Sequence, residues 1–180
     1  MFDPTAFENM KVVLEGAIYD KEFNGETVVT NRMDNVNLSS LSRQYEIEIA
    51  LSKENPIRAS ISLQASLENL ASELLPGSSI SSGSKAGCIV SVAFGLPFFV
   101  EQEKAASIIG SLEAIWGKER TITLTSSVEY SNKSVRSMFS RVAVSFGRLI
   151  TEEQMDDLLT MVDYMADSLF MLESLEFEKK

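Results

Sequence analysis

Histidine is absent from this 180-residue chain. That removes the commonest general base near neutral pH and the commonest metal ligand. Ser-His-Asp and Cys-His catalysis, His-based zinc sites and His pH switches are all excluded within the chain. A single cysteine, Cys88, excludes any intramolecular disulfide. No apolar run approaches the roughly 18 residues needed to span a bilayer. Basic residues are scarce as well, 16 against 26 acidic ones, for a net charge of −10. Such a surface repels phosphate backbones, so nucleic acid is not an expected partner. Met1 to Glu8 lacks the basic and apolar regions of a secretory signal, and a cytoplasmic protein is the expectation.

The chain does have an ample apolar fraction, 44%. With its length, that predicts one globular domain over 1–180. Its organising stretch is Ala86 to Gly95, nearly all apolar and closed by Gly95-Leu96-Pro97. A short apolar run between breakers predicts a central strand, and its composition predicts burial on both faces.

Around it, Met10 to Tyr19 fits two periods. Met10, Val12, Leu14 and Ile18 alternate as a strand would, whereas Phe7, Met10, Leu14 and Ala17 fit a helix. The β-branched content and the Asn24-Gly25 turn favour a strand, with Glu26 to Thr30 returning as its hairpin partner. Asn31 to Ser42 is expected to form a short helix or an ordered loop. Tyr45 to Leu51 alternates cleanly, Ile57 to Leu63 returns, and Leu67, Leu70 and Leu74 mark a helix stopped by Pro76-Gly77. After the central strand, Ala105, Ile108, Leu112 and Ile115 stripe a helix ended by Gly117. Strands are expected over about 121–130 and 138–146. The Thr151-x-x-Gln154 capping box then opens the longest helix, about 151–175. The layout predicts an α+β fold, with an antiparallel or mixed sheet built from strand–strand–helix units and helices packed mainly on one face.

Three sites merit weighing. The Ser/Gly-rich loop 76–87 invites comparison with a phosphate loop, but its glycine spacing, its Gly83-Ser84-Lys85 order and the strand that follows all differ from that motif. Ser84 and Lys85 are what an anion site there would use. Cys88 sits in an apolar strand with only Lys85 as a local cation, which reads as a structural thiol. The last helix concentrates charge, with nine acids and two lysines in residues 151–180. Asp156, Asp163 and Asp167 share a stripe, but helical rise spreads them too far for one cation. No metal ligand set and no cofactor is expected.

The same helix has a second apolar ridge, Tyr164, Met171 and Leu175, opposite its core-facing arc. A surface helix normally keeps that side polar, so a partner is implied. Lys133, Arg136, Arg141 and Arg148 form a basic block beside the acidic helix, suited to charge balance or to docking. The expectation is a non-enzymatic protein-binding protein, whether adaptor, chaperone-like or regulatory, that self-associates through the ridge and engages neither membrane nor nucleic acid. The alternative is a small-molecule or anion-binding protein, histidine-free enzymes included, that uses loop 76–87.

Overall fold

The computed structural model describes residues 6–74, 86–133 and 137–177. In order these form α1 (Ala6–Phe23), β1 (Val28–Asn37), β2 (Ser42–Ala50), β3 (Arg58–Ala65), α2 (Leu67–Leu74), β4 (Cys88–Leu96), α3 (Gln102–Trp116), β5 (Thr121–Glu129), β6 (Ser137–Ile150) and α4 (Met155–Phe177). The strands make one six-stranded sheet in the order β1-β2-β3-β4-β6-β5, every pair antiparallel. The α+β expectation holds.

Alternation decides which face is buried. Tyr45, Ile47 and Ile49 of β2 line up with Leu63, Ile61 and Ala59 of β3, and these with Val90, Val92 and Phe94 of β4. Val142 and Val144 of β6 continue the rows, and all these side chains are buried. Phe7, Met10, Leu14 and Ile18 of α1 close over this face, as do Ile108 and Leu112 of α3 and Leu158, Val162, Met165 and Leu169 of α4. On the opposite face Ser62, Ser91, Ser145 and Thr121 form one small polar row across four strands, with larger side chains such as Glu48, Ile89, Phe139 and Arg141 elsewhere on it. β4 is therefore central but one-sided. Ile89 and Gly95 on its open face are exposed, against the expectation of burial on both faces.

Residues 10–19 are helical, which corrects the strand expected there. Both periods were present in the sequence, and the helical one buries all four of Phe7, Met10, Leu14 and Ile18. Asn24-Gly25 is a turn as expected, but it caps a helix. Gly25 has φ +75°, its N–H donates to Glu22 O, and the N–H of Glu26 donates to Lys21 O, each at 3.0 Å. That pair of bonds is the Schellman arrangement, which uses the same residues a hairpin turn would. Asn31 to Asn37 is strand, neither helix nor loop, and pairs with β2 in register up to Asn37–Ser42. Asn37 Oδ1 accepts from the N–H groups of Ser39 and Ser40 and so shapes the turn. The first expected strand–strand–helix unit is thus helix followed by strand. The expected helical turn at Asp3-Pro4 lies outside the described residues.

α4 enters through the predicted box, in which Thr151 N–H donates to Gln154 Oε1 at 3.2 Å. α1 and α4 lie side by side and run the same way: Asn9 reaches Glu152 at 2.5 Å, and Lys21 reaches Asp163 at 2.8 Å. Among the described residues no helix is long and apolar enough to cross a membrane.

Candidate interaction surface

The predicted ridge of α4 lies along its seam with α3. Tyr164 is half-exposed, with its ring edge-on to Trp116 at 5.6 Å between centroids. Met171 and Leu175 are half-buried and pack against the core. Leu175 and Leu172 line a cleft of about 270 Å³ with Phe98, Phe99, Val100 and Ile108. The structure brings the three ridge residues to one seam, and α3 of the same chain occupies part of it.

Trp116 organises that seam. Its indole N–H donates to Ser168 Oγ at 2.9 Å, and the Ser168 hydroxyl donates to Tyr164 O at 2.7 Å. The ring also meets Phe146 edge-on at 5.9 Å, which joins α3, α4 and β6.

The other predicted groups are dispersed. Ser84 and Lys85 lie outside the described residues, as does Arg136 of the basic block. Arg148 pairs with Asp157 at 3.0 Å, so part of that block balances α4 charge within the chain. Asp163 is bound to Lys21 from α1, and no group of residues suited to holding a metal ion occurs among the described residues. Cys88 is fully buried. Burial, with the Glu73 carboxylate second, pushes its thiol up to about 12, so it stays protonated and structural.

A charge network ties α1 to the sheet. Asp34 of β1 accepts from Arg43 and from Lys11, at 2.8 and 2.6 Å, and Arg43 also reaches Glu8. The Arg43 guanidinium, with Lys11 assisting against partial burial, holds the Asp34 carboxyl down at about 2. Tyr45, buried beneath α1, donates to Glu15 at 2.8 Å, and burial moves its phenol far above its usual range.

The surface that sequence reasoning missed is the outer side of α1. Val12, Gly16, Tyr19 and Phe23 share one narrow stripe, with side-chain residues exposed at 63%, 39% and 92% for Val12, Tyr19 and Phe23. Their spacing of four, three, four was in the sequence, but it is visible only once the segment is known to be helical. Leu159 and Phe170 add exposed apolar side chains on the flank of α4 that carries Asp163. The open sheet face holds a shallow hollow of about 400 Å³, rimmed by Glu46, Glu48, Arg58, Phe139 and Arg141. No family model, no curated protein and no solved structure matches this chain.

Proposed function

We propose that the protein is a non-catalytic binding protein of the cytoplasm that grips a helix of another protein with the outer face of α1. The observation that carries this is the exposed Val12–Gly16–Tyr19–Phe23 stripe. Its four-three-four spacing is that of a helix seam, where side chains of one helix fill gaps in another. Gly16 has no heavy atom within 4 Å of an added Cβ, which leaves room for a partner backbone to approach. Burying Phe23 alone would return about 1.5–3 kcal/mol of apolar transfer energy. Asp20 adjoins the stripe, and the chain is strongly acidic, so a partner helix with basic flanks is favoured over a second α1. Self-association belongs to the same reading, through a different surface.

A photo-crosslinking residue in place of Tyr19, expressed in cells of the source, tests the reading. One heteromeric adduct is expected, and it should vanish when Phe23→Asp is added. No adduct, or an adduct of two copies of this chain, would refute it. Because Phe23 is almost wholly exposed, the variant should melt like the parent.

A further inference from the structure

The sheet ends in two edges of opposite character. β1 carries a bulge between Val29 and Asn31, the charges of Arg32 and Asp34, and asparagines along its length. These are the devices that stop an edge strand from recruiting another. β5 has none of them. Thr121-Ile-Thr-Leu-Thr-Ser-Ser-Val-Glu129 has no proline and no charge before its last residue, and pairs with β6 without a register shift. Among the described residues no strand pairs with its outer side, so the N–H and C=O groups there are a template for another strand.

The helix beside it has an exposed face of small residues. α3 packs against β5 and exposes Ala106, Gly110 and Ala114, one every four residues. An added Cβ on Gly110 meets nothing within 4 Å. We propose that a second copy of the chain docks on β5 about a two-fold axis, so that the two sheets run on as one and the α3 helices approach across the axis. This specifies where the self-association proposed above occurs, and it uses a surface separate from α1.

A second copy fits this edge better than a foreign segment for two reasons. Laid antiparallel on itself, β5 sets no like charges together: centred on Thr125, Glu129 meets Thr121 of the partner subunit. The small face of α3 is also self-complementary, since two such faces let helix backbones come close, whereas an added lone strand would leave that face bare.

Sedimentation of the full-length chain tests the proposal. The parent should have about twice its 19.9 kDa chain mass. Thr123→Lys with Ser127→Lys sets lysine against lysine twice across the axis and should weaken the dimer about 100-fold or more. Both positions lie on the edge strand, where the monomer tolerates lysine, and an unchanged circular dichroism spectrum confirms the fold. Gly110→Leu should weaken the dimer independently, and Phe23→Asp should leave it intact. A monomeric parent, or a lysine variant that stays dimeric, overturns the proposal. Loss of the dimer in Phe23→Asp alone would place the second copy on α1 and overturn it equally, and would leave the outer face of α1 in use.

Discussion

Trp116 and Ser168 allow a sharp test of how α3 is fixed to α4. Ser168 is fully buried and Trp116 nearly so. Ser168→Ala leaves the indole N–H buried with no acceptor, which costs about 1–3 kcal/mol. Trp116→Phe removes that donor together with part of the ring, while Ser168 keeps its own bond to Tyr164 O. Its cost is mainly lost packing, about 1–2 kcal/mol. Once the indole is gone, Ser168→Ala should cost little, so the two changes should be coupled by about 1 kcal/mol. Urea unfolding followed by circular dichroism measures all four proteins, because Trp116 is the chain's single tryptophan and its fluorescence is lost in half of them. Each kcal/mol should also lower the melting temperature by about 2–4 °C. Equal costs for Ser168→Ala in both backgrounds would refute the claim that this hydrogen bond, rather than packing alone, secures the seam.

Two further predictions concern backbone and charge. Gly87 has φ +138°, and an added Cβ would sit 2.5 Å from Ile150 O, so Gly87→Ala should cost about 3 kcal/mol or more. Gly25→Ala, at φ +75° with nothing within 4 Å, should cost only about 1 kcal/mol in the same urea titration. Asp34 is held below its usual 3.8, at about 2, so the folded state binds its proton less readily than the unfolded chain. Its contribution is present above pH 3.8 and is lost as pH falls from there through about 2, worth about 1 kcal/mol after solvent screening. Asp34→Asn should lower the urea midpoint near neutral pH and narrow its gap from the parent near pH 2.

The sheet was legible where one face is solvated. Tyr45, Ile47 and Ile49 alternate with Glu46 and Glu48, and only a half-exposed strand explains that pattern. β4 was legible as a strand but not as one-sided. Its open face holds Ser91, Ala93 and Gly95, residues small enough to read as interior in a one-dimensional pattern. α1 is ambiguous in sequence because Met10, Leu14 and Ile18 satisfy both periods and Val12 and Val13 favour strands. Tertiary burial decides between them, and the outer stripe is visible only in the helical reading. The Tyr164–Met171–Leu175 ridge was legible on a helical wheel. That α3 lies along it was not, since local sequence does not say which helices become neighbours.

That β5 is an edge follows from chain path rather than from any residue in it. β4 and β5 each pair antiparallel with β6, so they are parallel to one another and need a crossover, which α3 supplies. The chain passes over the place β6 will take, lays down β5 beyond it, and returns through the hairpin to fill the gap against β4. The hairpin thus moves β6 inward and leaves β5 outermost, while the same crossover brings α3 over that end of the sheet. The unguarded strand and the small-residue helix face are therefore products of a single connection. Had β6 been laid outside β5, the edge would have carried Arg141 and Arg148 and been guarded by charge. Strand order makes β5 an edge, and its lack of proline and of charge before Glu129 leaves that edge unguarded.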